Sequence, residues 1–200
     1  MIHKPAPADA PIHDLIRERW SPRAFSPQPV SDADLRTILE AARWAASSYN
    51  EQPWRFIVAR KSDKQAFEKL LSLLVPFNQG WAKKADVLII VAAHERFTHN
   101  GSPNYYALHD AGAATAHILL QAAALGLQGH GMAGFDHERA RKELGFPSDY
   151  VPGAAIAIGH PGAPEEADEP YRERERAPRQ RKPLSELAFL GSWDTPLTFK

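Results

Sequence analysis

Residues 85–93 read ADVLIIVAA, and from 87 to 93 the run is apolar without a break. Such a segment is too short to cross a bilayer and fits a strand buried on both faces. A second buried strand is expected at 154–159 (AAIAIG), a third at 54–60 (WRFIVAR) and a short fourth around 127–133. Helical spacing links them. Ile12, Leu15, Ile16 and Arg19 mark a first helix. Ser31 and Asp34 form a capping box ahead of Leu35, Ile38, Leu39 and Ala42, in a helix expected to end near Ala46. Phe67, Leu70, Leu71 and Leu74 mark a third helix. A long alanine-rich helix should run from about Tyr105 to Leu125 with Leu108, Ala111, Thr115, Ile118, Leu119 and Ala122 inward, capped by Gly126. A helix around 138–144 follows. Helices interleaved with separated strands give an α+β pattern.

Composition narrows the function classes. Lys plus Arg and Asp plus Glu both number 24, so the formal net charge is zero and gives no hint of a nucleic-acid or anionic-membrane partner. Cysteine is absent, which removes disulfides, thiolate metal sites and cysteine nucleophiles. No apolar run is long enough to span a bilayer. The opening Met1-Ile2-His3-Lys4-Pro5, with Asp9 and Asp14 nearby, lacks a signal-peptide core, so the expected location is the cytoplasm. The 200 residues suit a single domain, with 162–178 as a charged linker and 184–200 as a terminal arm. Leu187, Phe189, Leu190, Trp193, Leu197 and Phe199 make that arm greasy. It must dock either on its own core or on a partner subunit, and composition favours neither.

Three clusters could carry chemistry. In Arg19-Trp20-Ser21-Pro22-Arg23, alternate side chains of an extended segment share a face, so two guanidiniums and a hydroxyl can converge on phosphate oxygens. The same spacing also describes two solvated loop arginines. Residues 45–54 (AASSYNEQPW) join a helix end to a strand and offer Ser47, Ser48, Asn50 and Gln52 as directional hydrogen-bonding groups, or simply a turn. Arg179-Gln180-Arg181-Lys182 stands outside an alternating Arg/Glu run at 172–176 that reads as a solvated face. The nine histidines show no metal-ligand spacing, so no metal site is expected. A Gly-x-Ser-x-Gly elbow and a dinucleotide fingerprint after a strand are both lacking. A nucleic-acid arm at 172–182 is opposed by its interspersed glutamates.

Taken in order, these pieces resemble the nitroreductase family of FMN flavoproteins. Arg19-x-Ser21-x-Arg23-x-Phe25 is followed by Ala46-Ser47-Ser48-x-Asn50-x-Gln52-Pro53-Trp54 and Phe77-Asn78. His109-Asp110-Ala111-Gly112 then opens the long helix, and Gly131-Met132-Ala133-Gly134-Phe135-Asp136, Val151-Pro152 and Arg179-x-Arg181 complete the set. The resemblance covers residues 12 to about 190. It implies a three-layer α/β/α fold with a central mixed, mainly antiparallel sheet, and a homodimer whose C-terminal arm is swapped onto the partner. It implies FMN as cofactor and NAD(P)H as co-substrate, with hydride passed to a small acceptor such as a nitroaromatic or quinone. Arg19, Ser21, Arg179 and Arg181 would hold the FMN phosphate, with Arg176 or Lys182 as alternatives to Arg179. Arg23 and Asn78 would face the ribityl chain and pyrimidine edge, and Arg23 would stabilise reduced flavin. Ala46, Ser47, Ser48, Asn50 and Gln52 would reach the same FMN from the other subunit. Backbone near Met132, Ala133 and Gly134 would meet flavin N5 and O4. Residues 94–104 would form a substrate-facing lid, and no protein nucleophile or acid–base residue is required. A flavin-binding or sequestering protein without turnover is the alternative. Ala46 stands where many members carry Pro.

Overall fold

The computed structural model describes residues 3–199; Met1, Ile2 and Lys200, the last residue of the expected arm, lie outside the described residues. The central element is a four-stranded sheet in the order β1 (Trp54–Arg60), β2 (Val87–His94), β4 (Tyr150–Gly159), β3 (Gln128–Met132). Every pairing is antiparallel among the described residues, whereas a mixed sheet was expected. The pairing β1–β2 runs from Trp54 opposite Ala93 to Arg60 opposite Val87. A bulge between Val91 and Ala92 lets β4 begin at Tyr150, four residues before the apolar run.

The period of two along β2 divides the core. Val87, Ile89, Val91 and Ala93 face Ile38 of α2 (Asp32–Arg43) and Ala111 and Ile118 of α5 (Ala107–Ala124). Leu88 and Ile90 face the opposite layer, with Phe67 and Leu70 of α3 (Lys64–Leu73), Trp81 of α4 (Pro76–Ala82) and Ala140 of α6 (His137–Glu143). The fold is therefore an α/β/α sandwich, as the resemblance implied, with an antiparallel sheet in place of the mixed, mainly antiparallel one expected.

Several boundaries differ from expectation. The first helix, α1, is a single turn (Asp14–Glu18). Ser31 caps α2, its Oγ accepting the Asp34 amide at 3.0 Å, but the helix ends at Arg43 and leaves Ala46 beyond it. The inward face of α5 is Ala107, Asp110, Ala111, Ala114, Ile118 and Ala122. Leu108, expected inside, is half exposed, and Thr115 and Leu119 are only partly buried. Alanines on the inner face let α5 approach the sheet closely, and Gly129 answers from β3, where a Cβ would lie 2.6 Å from Leu119. Gly126 closes α5 at φ +75°. The expected linker at 162–178 holds a short helix, α7 (Tyr171–Arg176), which buries Tyr171 and Glu175. No helix among the described residues is long and apolar enough to cross a membrane.

Candidate functional site

Beyond α1 the chain runs extended along the outer edge of β3. Trp20 N–H donates to the Gln128 side-chain oxygen (3.2 Å), and His130 Nδ1 donates to the Pro22 carbonyl (2.8 Å). These contacts fix the segment without making it a strand. Arg19 and Ser21 then share a face, Arg19 Nη1 lying 3.3 Å from Ser21 Oγ. Arg23 lies against Trp81, its guanidinium carbon 5.9 Å from the ring centre. Behind the segment, the Glu175 carboxylate accepts the Arg23 amide and is 1% exposed. Burial pushes its pKa up, against the pull of the Arg23 amide and the Lys4 charge.

Arg179 joins this edge by donating to the carbonyls of Lys4 (3.0 Å) and Arg17 (2.7 Å). Burial lowers the pKa of Arg19, and the positive charges of Arg179 and Arg181 lower it further. Among the described residues, Arg19, Arg23, Arg179 and Arg181 take part in no ion pair within 4.0 Å, whereas Arg176 pairs with Glu165 (2.6 Å) and Lys182 with Glu186 (3.7 Å). A cluster of guanidiniums outside ion pairs beside a hydroxyl is a donor set suited to a phosphate dianion.

At the far end of β3, Asn78 Nδ2 donates to the Gly134 carbonyl (3.0 Å), which also accepts the Val75 amide (3.0 Å). A Cβ at Gly134 would sit 2.7 Å from Asn78 Nδ2, so any larger residue would push the Asn78 amide from its place. Ala133 is exposed beside it. The Met132 side chain is buried in the core, which leaves only its backbone to meet a ligand.

The 46–52 turn is built differently. Ser48 N–H donates to Asp110 Oδ2 (2.9 Å), Gln52 N–H to Ser47 Oγ (3.0 Å), and Gln52 Nε2 to the Asn50 carbonyl (2.9 Å). Tyr49, Asn50 and Gln52 have φ of 52°, 53° and 50°. Three left-handed non-glycine residues in so short a span are strained, a feature that concentrates at functional sites. Ala46, Asn50 and Gln52 are exposed. This turn enters β1, the opposite edge of the sheet from β3. Three strand spacings place the two edges roughly 15 Å apart. One chain therefore gathers Arg19, Ser21, Arg23, Asn78, Ala133, Gly134 and Arg179 at one edge, and Ala46, Ser47, Ser48, Asn50 and Gln52 at the other.

Four residues of these arrangements were given no part in the site by the sequence: Asp110, Glu175, Trp81 and His130. Asp110 could have been found as a lone carboxylate on an otherwise apolar helix face, where it is 4% exposed. His130 stacks on Trp81 at 4.5 Å between ring centres. Burial pushes its pKa down from 6.5 to about 4; the Pro22 carbonyl opposes this, and the Arg23 and Arg19 charges add to it. Because the folded value lies below the unfolded one, the neutral ring's contribution to stability is complete above pH 6.5 and is withdrawn as pH falls towards 4. The expected withdrawal is roughly 3 kcal/mol. Urea unfolding at stepped pH checks this, with the difference between wild type and His130→Phe isolating the ring from the carboxylates. A difference that stays constant from pH 7 to 4 would contradict a buried neutral imidazole.

Comparison with known proteins agrees with the geometry. The model of the Nitroreductase family matches residues 16–160. A protein of Archaeoglobus fulgidus named putative NADH dehydrogenase/NAD(P)H nitroreductase is 34% identical over 151 residues, covering 74% of this chain and 83% of that protein. A crystal structure of an oxidoreductase containing FMN superposes with a TM-score of 0.89 at 38% identity, covering 94% of this chain and 96% of the other. A putative nitroreductase from Desulfovibrio desulfuricans, solved in complex with FMN, gives 0.70 at 30% identity, covering 92% and 99%. The sandwich, the arginine-lined edge of β3 and these likenesses place the chain together: it belongs to the nitroreductase family.

Proposed function

We propose that this protein is an FMN-dependent oxidoreductase, working as a homodimer in the cytoplasm, that carries hydride from NAD(P)H to a small acceptor such as a quinone or nitroaromatic. The observation that carries this reading is the row of ion-pair-free guanidiniums along one sheet edge in a nitroreductase-family chain whose solved relatives contain FMN. Arg19, Ser21, Arg179 and Arg181 hold the phosphate. Arg23 and Asn78 address the ribityl chain and pyrimidine edge, and the backbone of residues 132–134 meets the central ring. Ala46, Ser47, Ser48, Asn50 and Gln52, at the opposite edge of the sheet, complete the site of the second copy. That arrangement explains why one chain keeps the two groups apart.

The terminal arm supports a dimer. Its hydrogen bonds are internal, Leu190 N–H to the Thr195 carbonyl (2.7 Å) and Leu197 N–H to the Ala188 carbonyl (2.9 Å), while Leu187, Leu190, Trp193 and Phe199 face solvent. In this reading residues 184–200 lie on the partner, swapped between subunits.

Bound FMN supplies the redox chemistry, taking up hydride and returning reducing equivalents to an acceptor. The chain's part is to bind, orient and balance charge. The permanent cation of Arg23, whose backbone is held by Glu175 and whose guanidinium lies over Trp81, would balance negative charge developing on the pyrimidine edge. Donor and acceptor use one cleft in turn, which gives ping-pong kinetics. The absorption spectrum before and after NADH or NADPH, without oxygen, tests this reading. Flavin bands should bleach with a nicotinamide and return on adding a quinone. Bands that persist would indicate a flavin-sequestering protein, and no flavin uptake even with added FMN would overturn the reading.

A further inference from the structure

His130 anchors the 19–23 segment of the arginine-lined edge through Nδ1. Its ring is held by two contacts, and Arg23 shares one of the partners. Nδ1 is 2.8 Å from the Pro22 carbonyl, the ring rests on Trp81 with centres 4.5 Å apart, and Arg23 lies against the same indole at 5.9 Å. Trp81 is fully buried and leans on Phe25, with ring centres 6.3 Å apart, so this platform does not move freely. A carbonyl oxygen only accepts, so the Pro22 contact assigns the imidazole proton to Nδ1. Nε2 is left with its lone pair and accepts.

That acceptor is scarce where it stands. Arg19, Arg23, Arg179 and Arg181 are pure donors, and the Asn78 carbonyl oxygen, which can accept, belongs to a side chain tied to the Gly134 carbonyl at the far end of β3. Ser21 Oγ receives Arg19. A phosphate needs only donors, but the polyol chain of a flavin nucleotide brings hydroxyl protons that need acceptors. A carboxylate in this position would also repel the phosphate, whereas a neutral imidazole does not. The Pro22 carbonyl that holds Nδ1 lies in the chain between Ser21 and Arg23, which puts the ring between the phosphate end and the pyrimidine end of the proposed site.

We propose that His130 is a cofactor-binding residue whose Nε2 accepts a hydrogen bond from a ribityl hydroxyl of the bound flavin nucleotide. This rests on the flavin site proposed above and assigns that site a residue outside the arginine and amide set.

The test is a binding cycle on the full-length protein. Wild type and His130→Phe, which keeps an aromatic ring on Trp81, are titrated by flavin fluorescence with two ligands. One is FMN and the other is a flavin carrying a phosphopentyl chain without hydroxyls. For FMN, His130→Phe should weaken binding by about tenfold, as for loss of one hydrogen bond. For the phosphopentyl flavin, wild type and variant should agree within a factor of about two, since no hydroxyl is present to lose. Equal losses with both ligands, or no loss with FMN, overturn the assignment. Wild type that binds neither flavin overturns the site itself, which is a different result.

Nitrogen NMR of the wild-type histidines gives a reading that does not depend on the variant folding. FMN should leave the proton on Nδ1 and move the Nε2 resonance towards that of a hydrogen-bonded acceptor, and the phosphopentyl flavin should not. An Nε2 resonance indifferent to FMN would overturn the proposal.

Discussion

Arg19→Ala is expected to weaken FMN binding by roughly a hundredfold or more, as for a charge-paired group removed from a partly buried site. Arg19 is the most enclosed of the guanidiniums proposed to hold the phosphate, and it shares its surroundings with Arg179 and Arg181 and no paired carboxylate. In the absence of ligand that crowding is repulsive, so removing one cation leaves the fold unharmed, and the apoprotein melting temperature should hold or rise slightly. Arg181 is exposed. Arg181→Ala should therefore cost only about fivefold, as for a charge at the rim of a binding site. Titrating both variants with FMN and with riboflavin tests the phosphate assignment directly. The deficit of Arg19→Ala should largely vanish with riboflavin, which lacks the phosphate. Full flavin retention in both variants would sink the assignment.

Deleting residues 184–200 should convert the protein to a monomer at micromolar concentration and strip it of flavin. Trp193 is 79% exposed and Phe199 72%, and Leu187 and Leu190 are exposed beside them. Large side chains of this kind each yield roughly 1.5–3 kcal/mol when buried. Together they can supply on the order of 10 kcal/mol before the entropy of association and ordering is subtracted. A loss of that size moves a dimer dissociation constant by several powers of ten. Sedimentation of the truncated and intact chains, read at flavin and protein wavelengths together, separates the outcomes. A truncated dimer with its full flavin would mean that the arm docks on its own body.

What could be read in advance follows from where the physics is local. The strand 54–60 has the bounds the sequence suggested, because Pro53 and the flanking polar residues punctuate it on both sides. Ser31 announced α2 because a cap is a contact between residues three apart. Helix α4 was illegible: PFNQGWA contains a glycine, and Gly80 is there because any Cβ would collide with the Tyr171 hydroxyl from far along the chain. Helix α7 looked like solvated charge because half of its buried pair, Tyr171 and Glu175, is a carboxylate. The arginine-rich edge was legible as a motif of alternate residues. Its supports, Glu175, Trp81 and His130, were not, since each reaches the motif across 50 residues or more, and only the folded chain shows those contacts.

The two groups proposed to meet the flavin lie at opposite edges of the sheet. If each pocket is closed by two chains, cofactor capture and chain association are one equilibrium viewed from two sides. Diluting the protein would release flavin although no residue had changed, and supplying flavin would draw free chains together. Abundance of the nucleotide in the cell would then set how much of the protein exists as an assembled catalyst.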